Sequence, residues 1–224
     1  MFQKVIFCLL FLFIPLNRAA VNTVANSPFT SSEPVSELAA GEQLFEEMEL
    51  GGTVNFIAFR QAVAGYNRIK EKSKPILTLI DFSKPSTEKR FFVFDMEKKK
   101  LLYSSVVAHG RNSGENYATS FSNQYGSYKS SLGFYLTENT YQGGNGYSLI
   151  LNGLEKGIND KAKARSIVVH GAPYANPSVA ASGRLGRSLG CPALPTKLAR
   201  PIINTIKDGS VMFIYANNPH YLAP

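Results

Sequence analysis

The sequence predicts a mainly β domain of the α+β class, with an N-terminal helical segment before it and one short helix near its end. Three observations support this fold class. From Pro75 onward, β-branched and aromatic runs alternate with short polar turns, as in a meander of strands. Before Pro75, apolar residues recur at helical spacing instead. A further helical stripe follows Cys191 and ends just before Gly209.

The N-terminus has the pattern of a secretory signal, which we assign to residues 1–25. A lysine precedes an apolar run from Val5 to Leu16. This run is shorter than the roughly 20 residues that span a bilayer, and it is typical of the apolar core of a signal peptide. We expect cleavage near Ala20 or Ala25 and a periplasmic or cell-wall location, with an uncleaved anchor as the alternative.

Two helices are predicted within residues 26–74, which we assign to a linker and a helical segment. Leucine, phenylalanine and methionine fall near helical spacing over residues 36–50, and Gly51 ends that pattern. Thr53 can cap a second helix over Val54–Lys70, whose apolar stripe is typical of a helix packed on a larger domain. We interpret both helices as structural support.

Residues 75–218 form the predicted main domain, followed by a tail at 219–224. A long glycine- and serine-rich region interrupts its strands after His109, and long loops in compact domains are usually functional or mobile. The helix near its end is predicted over Thr196–Lys207. The predicted strands are Ile76–Asp81, Arg90–Asp95, Leu101–Ala108, Gly133–Thr137, Tyr147–Leu151, Ser166–His170 and Val211–Tyr215.

The formal net charge of +8 falls to +6 when Lys4 and Arg18 are removed with the signal. This charge suits an anionic partner such as a cell-wall polymer or an anionic membrane surface. The basic residues are dispersed and no nucleic-acid-binding motif accompanies them, so nucleic acid is not an expected partner. We expect no stable membrane insertion after signal cleavage, and the sequence carries no signal for an oligomeric state.

Cys191 is the one cysteine that remains if the signal, which contains Cys8, is removed. A single thiol in an exported protein forms no internal disulfide and is open to oxidation. A buried cysteine acting as a small apolar residue is the alternative. However, its neighbours Ser188, Gly190 and Pro192 are turn residues, so we predict a functional thiol.

His170-Gly171 ends the β-branched run Ile167–Val169, as when a buried strand delivers a polar side chain to its exposed end. A histidine and a cysteine brought together by one loop closure are the minimum for nucleophilic thiol catalysis. Cys191 would attack a carbonyl carbon, and His170, oriented by the Gly171 carbonyl or another acceptor, would return the proton to the leaving amine. The candidate oxyanion donors are the N–H groups of Leu189, Gly190 and Cys191.

The arrangement His170-Gly171, sixteen residues, and then Ser188-Leu189-Gly190-Cys191 resembles the H-G…S-x-G-C signature of the murein L,D-transpeptidase catalytic domain. The segments V-A-H-G-R-N-S-G, S-S-L-G-F-Y, G-L-E-K-G-I-N-D and H-G-A-P-Y resemble the branch with G-R-S-x-G-C-P at its cysteine. The likeness covers roughly Ile76–Tyr215. It implies a β-sandwich-like catalytic domain without cofactor or metal. Its implied catalytic residues are Cys191, His170, Gly171, Ser188 and Gly190.

The resemblance also implies a reaction on peptidoglycan stem peptides. A tetrapeptide would acylate Cys191 at an L,D bond between a diamino acid and a terminal D-alanine. Transfer of the acyl group to an amine forms a cross-link, whereas transfer to water gives a carboxypeptidase. Carbapenem-type β-lactams typically acylate the same thiol.

Two positions depart from the common family pattern. Leu189 stands where a histidine is usual, and Ala193 stands where arginine or asparagine is usual. Other groups would then bind the substrate, and arginine is suited to this because it binds carboxylates bidentately. A structural role for the histidine and solvated loop charges for the arginines are the alternatives. The candidates are Tyr174, Arg184, Arg187 and His109.

Other classes of protein fit the sequence less well. In papain-like peptidases the cysteine precedes the histidine, whereas here the histidine comes first. A sortase has the histidine first, and Arg200 lies nine residues after Cys191 as in a sortase, but the separation of His170 and Cys191 is far too short and the threonine-rich motif of the sortase cysteine is absent. A non-catalytic wall-binding module and a metal site remain as non-enzymatic alternatives. Zinc ligands usually occur in pairs that are close in sequence, and the four candidate ligands of this chain are not paired in that way. The metal site would use His109, His170, Cys191 and His220.

Overall fold

A computed structural model describes residues 35–222, which form one eight-stranded sheet with helices packed on it. The predicted signal and most of the predicted linker lie outside the described residues. The helices are α1 (Val35–Glu47), α2 (Phe56–Arg68), α3 (Pro177–Ala180), α4 (Thr196–Ile206) and α5 (Pro219–Leu222), with a 3-10 turn at Pro173–Ala175. The strands are β1 (Ile76–Asp81), β2 (Phe91–Asp95), β3 (Lys100–Ser105), β4 (Gly133–Gly143), β5 (Gly146–Gly153), β6 (Val168–Gly171), β7 (Ala193–Leu194) and β8 (Val211–Tyr215).

The sheet has the strand order β3-β2-β1-β8-β4-β5-β6-β7 and nearly closes on itself. β1–β8 and β6–β7 are parallel pairs, and the other pairs are antiparallel. The chain leaving β3 reaches the opposite edge, where Ala108 and Ala193 exchange backbone hydrogen bonds of 2.8 and 3.2 Å. The predicted mainly β class is therefore confirmed, with its strands joined in a near-barrel.

The central strands are buried on both faces, so they read as continuous apolar runs. Alternate side chains of β1 enter two separate cores. Ile76 and Ile80 pack in the core that α4 covers, whereas Leu77 and Leu79 pack in the core that α2 covers. The sheet thus separates two hydrophobic cores, and α2 packs against one of its faces.

Both N-terminal helices are confirmed, but the residue that caps α2 is not the predicted one. The Asn55 side-chain oxygen accepts from the N–H groups of Ile57 and Ala58 at 3.0 and 3.3 Å. Thr53 lies in the preceding turn, where its N–H donates to the Leu50 carbonyl oxygen. The cap therefore moves two residues along the chain, because this turn still continues from α1.

Several strand boundaries differ from the predicted ones. β3 ends at Ser105 because the following residues leave β2 to join β7. β4 and β5 extend to a hairpin tip at Gly143–Gly146, whose exposed polar residues do not have the pattern of a half-buried strand. The predicted C-terminal tail contains α5. No helix within residues 35–222 is long and apolar enough to cross a membrane.

Candidate active site

The parallel pairing of β6 with β7 places the strand that carries His170 beside the segment that leads from Cys191 into β7. His170 is in register with Ala193, two residues beyond Cys191. Cys191 is a free cysteine with 8% of its surface exposed. Its Sγ lies 3.5 Å from the Val168 backbone N and 3.6 Å from the Ser166 carbonyl oxygen. The sulfur thus accepts from an N–H and, as a thiol, donates to a carbonyl.

His170 is held in the tautomer that a general base needs. Its Nδ1 lies 3.1 Å from the Gly171 carbonyl oxygen, an acceptor already named from the sequence. Because a carbonyl oxygen only accepts, Nδ1 carries the proton and Nε2 keeps a lone pair. Gly171 also allows α4 to approach, since a Cβ there would lie 2.8 Å from the Ala199 Cβ.

The resting site is a neutral one. Burial lowers the pKa of His170 and raises the pKa of the Cys191 thiol. Among the described contacts there is no hydrogen bond between the imidazole and the sulfur. Neither group is charged at neutral pH, so they form no ion pair.

Ser188 and Gly190 shape the turn that presents the cysteine. The Ser188 hydroxyl accepts from the Gly190 N–H at 3.0 Å and donates to the Cys191 carbonyl oxygen at 2.6 Å. The Gly190 N–H is therefore already used, which removes one of the three predicted oxyanion donors. The N–H groups of Leu189 and Cys191 have no partner within the described part of the chain.

Arg184 and Arg187 bind the same carboxylate, that of Glu115 in the long loop after β3. Arg184 Nε lies 3.0 Å from one Glu115 oxygen, and Arg187 Nη1 lies 2.6 Å from the other. Arg187 also donates to the Gly114 carbonyl oxygen at 3.1 Å. The guanidinium groups are thus placed to hold a carboxylate, and the chain supplies one itself.

His109 lies inside the domain, contrary to its predicted place in a cleft. It is 1% exposed, and its Nδ1 accepts from Arg90 Nη2 at 2.8 Å. Its Nε2 then carries the proton and lies 3.3 Å from the Gly114 carbonyl oxygen. Burial and the neighbouring Arg90 lower the pKa of His109 to about 4. Both ring nitrogens therefore serve the fold.

Tyr174 is half-buried in the 3-10 turn that follows β6. Burial, followed by the Cys191 charge, raises the pKa of its phenol to about 12. The phenol therefore stays neutral near neutral pH, within electrostatic reach of the sulfur.

Two residues near the site were not predicted from the sequence. Arg165, directly before Ser166, lies near Gly190, but in K-A-K-A-R it looks like a solvated basic segment. Glu115 is an isolated acid in a polar loop. Only a search for a carboxylate matching the two arginines of the G-R-L-G-R segment would have found it.

Metal binding is tested by the grouping of possible ligands. Within residues 35–222, no group of three or more His, Cys, Asp or Glu side chains could hold a metal ion. His109 is engaged by Arg90, apart from the thiol. The His220 side chain lies outside the described residues.

A histidine at the end of one strand and a cysteine in the turn before its neighbouring strand are a combination that cysteine-dependent acyl transfer can use. The family model of the L,D-transpeptidase catalytic domain matches residues 51–215. The chain belongs to the L,D-transpeptidase catalytic domain family. Comparison with curated protein sequences finds no significant match.

Three solved structures illustrate the similarity. An L,D-transpeptidase from Stackebrandtia nassauensis is 14% identical, with a TM-score of 0.38, over 84% of this chain and 82% of that one. One from Mycobacterium smegmatis is 13% identical, with a TM-score of 0.39, over 63% of this chain and 59% of that one. L,D-transpeptidase 3 from Mycobacterium tuberculosis, in complex with a faropenem-derived adduct, is 15% identical, with a TM-score of 0.39, over 62% and 60%. The chain thus spans about three fifths of the length of these two mycobacterial proteins.

Proposed function

We propose that this chain is an exported L,D-transpeptidase that cross-links peptidoglycan stem peptides through Cys191. The observation that carries the proposal is the family match over residues 51–215. Within that range, His170 lies on β6 and Cys191 lies two residues before the part of β7 that pairs with it. The net charge of +8, or +6 once Lys4 and Arg18 leave with the signal, suits an anionic wall polymer. The enzyme as proposed needs neither cofactor nor metal.

The proposed reaction has two steps, acylation of Cys191 and transfer of the acyl group to an amine. Cys191 Sγ attacks the carbonyl carbon of the diamino acid, and His170 Nε2 takes the thiol proton. The C–N bond then breaks, and His170 passes that proton to the nitrogen of the departing D-alanine, which leaves a thioester. In the second step an acceptor amine attacks the thioester, and the thiol is regenerated as the new amide forms.

The surroundings of the thiol support this sequence of events. Ionisation removes the S–H donor, so the Ser166 carbonyl oxygen loses its partner while the Val168 N–H keeps its own. The Cys191 thiolate is therefore favoured only when a base such as His170 accepts the thiol proton. The free N–H groups of Leu189 and Cys191 remain as oxyanion donors, because Ser188 holds the Gly190 N–H.

A substrate carboxylate can meet the two loop arginines by displacing Glu115. Arg184 is half-buried, and the Glu115 side chain is 69% exposed, so this carboxylate can leave for solvent. The Tyr174 phenol lies within electrostatic reach of Cys191. We propose Arg184, Arg187 and Tyr174 as substrate contacts on this basis, whereas His109 serves the fold.

Substitution of the thiol is the decisive test. Cys191→Ser is expected to keep the fold and to lose at least about a thousandfold in tetrapeptide turnover, because a serine hydroxyl beside a neutral imidazole is a much weaker nucleophile. A carbapenem is expected to add its mass to the wild-type chain and not to this variant. In the chain that still carries residues 1–25, Cys8→Ser is the matched control and should keep both properties. Full turnover by Cys191→Ser would end the thiol mechanism.

A second assay separates transpeptidation from its alternative. Tetrapeptide is incubated with and without an acceptor amine, and the products are analysed by mass spectrometry. A cross-linked product supports the transferase. Release of D-alanine with formation of tripeptide alone would make the chain an L,D-carboxypeptidase. A chain that binds wall polymer and turns over neither would be a non-catalytic wall-binding module.

A further inference from the structure

Arg165, in the segment just before β6, ties the long loop of the domain to the site. Its guanidinium makes four hydrogen bonds, all to groups between residues 122 and 131, and both terminal nitrogens take part. Nη1 donates to the Ser122 carbonyl oxygen at 2.8 Å and to Ser131 Oγ at 2.6 Å, and Nη2 donates to the Lys129 carbonyl oxygen at 2.7 Å and to Ser127 Oγ at 3.2 Å.

The loop held by Arg165 lies directly against the residue before the cysteine. Ser130 Oγ donates to the Gly190 carbonyl oxygen at 3.0 Å. A Cβ built on Gly190 would lie 2.9 Å from the Lys129 carbonyl oxygen and 3.5 Å from Arg165 Nη2. The guanidinium therefore packs beside the turn that presents Cys191.

The backbone that follows Arg165 contacts the sulfur itself. The Ser166 carbonyl oxygen and the Val168 N–H are the two hydrogen-bonding partners of Cys191 Sγ. Ser166 has a left-handed φ of 56°, which costs energy for a residue other than glycine. Its N–H is bonded to the Lys163 carbonyl oxygen, which helps to hold this conformation. Arg165 thus directly precedes Ser166, the strained residue whose carbonyl oxygen contacts the thiol.

Arg165 also brings a positive charge close enough to act on the sulfur. Burial raises the pKa of the Cys191 thiol, and Arg165 acts in the opposite direction. Two other titratable groups described near the site, Tyr174 and His170, are neutral at pH 7. Tyr174 follows β6 and is an un-ionised phenol, and the imidazole of His170, on β6, is kept neutral by burial. Among these groups, only the guanidinium stabilises a sulfur anion by its charge.

We propose that Arg165 is a positioning residue for Cys191, which fixes the loop at residues 122–131 against Gly190 and stabilises the Cys191 thiolate by its charge. The proposal deepens the proposed function and rests on Cys191 as its nucleophile. Two separable effects follow. The charge governs how readily the thiol ionises, whereas the four-bond fork governs how the loop is ordered beside it.

The test measures alkylation of Cys191 by iodoacetamide as a function of pH. The thiolate displaces iodide and forms a C–S bond, and the thiol proton goes to the buffer. Peptide mass spectrometry follows the Cys191 peptide separately from Cys8. For Arg165→Met we expect the midpoint of the pH profile to rise by about one unit, which is about a tenfold slower reaction at neutral pH. For Arg165→Lys we expect a midpoint near that of the wild type but slower tetrapeptide turnover.

Arg200→Met is the matched control, because it removes the same charge from a residue that lies over the Tyr147 ring. It should leave the midpoint unchanged. If Arg165→Met shows the same midpoint as Arg200→Met, the assignment is overturned. If Arg165→Met fails to fold, Arg165→Gln replaces it, and an unshifted midpoint there overturns the assignment equally. A shifted midpoint in a chain that turns over no tetrapeptide supports Arg165 while refuting the proposed function.

Discussion

Gly190 meets two constraints at once. Its φ of 126° lies in a region that side chains rarely adopt. A Cβ there would also lie 2.9 Å from the Lys129 carbonyl oxygen and 2.9 Å from the Ile167 Cδ1. A methyl of isoleucine can shift, but a backbone oxygen held by Arg165 cannot do so cheaply. The glycine therefore permits both the turn and the close contact with the loop.

We expect Gly190→Ala to lower the free energy of unfolding by roughly 2–4 kcal/mol and to slow Cys191 alkylation. Gly183→Ala is the control, since Gly183 has a φ of 99° with nothing within 4 Å of its Cβ position. It should cost only the backbone strain, about 1 kcal/mol. Urea unfolding of both variants measures the difference. Equal losses would mean that crowding at Gly190 contributes nothing.

The crossing that carries the chain from β3 to β7 is stabilised by one buried arginine. Arg90 is fully buried, and its Nε and Nη2 both donate to the Val107 carbonyl oxygen, at 3.0 and 2.7 Å. Nη2 also reaches His109, and Nη1 donates to the Lys84 carbonyl oxygen. Burial lowers the pKa of Arg90 to about 9, which leaves it charged at neutral pH. This cation organises the crossing through its hydrogen bonds.

His109 gives the crossing a dependence on acid. Its pKa of about 4 in the fold lies below its ordinary 6.5. The unfolded chain therefore takes up a proton first, and the contribution of His109 to stability is lost as the pH falls from 6.5 to 4, by roughly 3 kcal/mol. In His109→Asn, which keeps an acceptor but does not titrate, this loss should be absent. Urea unfolding of both chains at pH 7 and pH 4.5 measures it, and parallel losses would refute the assignment.

Glu155 connects three parts of the molecule. Its Oε1 accepts from the Phe134 N–H of β4 at 2.6 Å and from the Tyr221 hydroxyl of α5 at 3.1 Å. Its own N–H is held by Asn159. Oε2 is buried and has no hydrogen-bond partner among the described residues. Burial accordingly raises the pKa of Glu155 to about 7.

This raised pKa opposes the effect of His109. The unfolded chain ionises near 4.5 and the folded chain near 7, so stability is lost as the pH rises through this range, by roughly 3 kcal/mol. Glu155→Gln resembles the protonated acid, so we expect it to be more stable than the wild type at pH 8 and similar at pH 4.5. Thermal unfolding at both pH values tests this. The Tyr221→Phe variant should keep the wild-type pH trend. A Glu155→Gln variant that is less stable at pH 8 would contradict the burial of a charge.

Much of the fold could be read from local pattern. The apolar runs at β1, β2 and β8 and the apolar stripe of α4 were predicted at nearly their observed bounds. In these elements the residues that the sequence pattern marks as apolar are the ones that the fold buries. β7 has two residues and no periodicity, so it was missed. The polar arms of the β4–β5 hairpin were missed for a related reason, because neither face of that ribbon is buried.

Some residues of the candidate site could likewise be predicted from the sequence, and others could not. The motif with His170, Ser188 and Cys191 was visible because its residues are close in sequence and chemically distinctive; their catalytic roles stay predictions. Arg165 and Glu115 were not visible, since each acts on a partner more than twenty residues away. The buried position of His109 was not predicted, because it depends on a hydrogen bond from Arg90, which lies nineteen residues earlier in the chain.

The sequence by itself determined the mainly β class and the family, and it singled out one thiol and one histidine as the candidate catalytic groups, since these depend on local residue types and short spacings. Only the tertiary structure decided that the two edges of the sheet meet through Ala108 and Ala193 and that Arg90 donates a hydrogen bond to His109. It also decided that Arg165 packs beside the turn that precedes Cys191. The physical reason is that hydrogen bonds and charges act through space, between groups that the chain brings together only by folding.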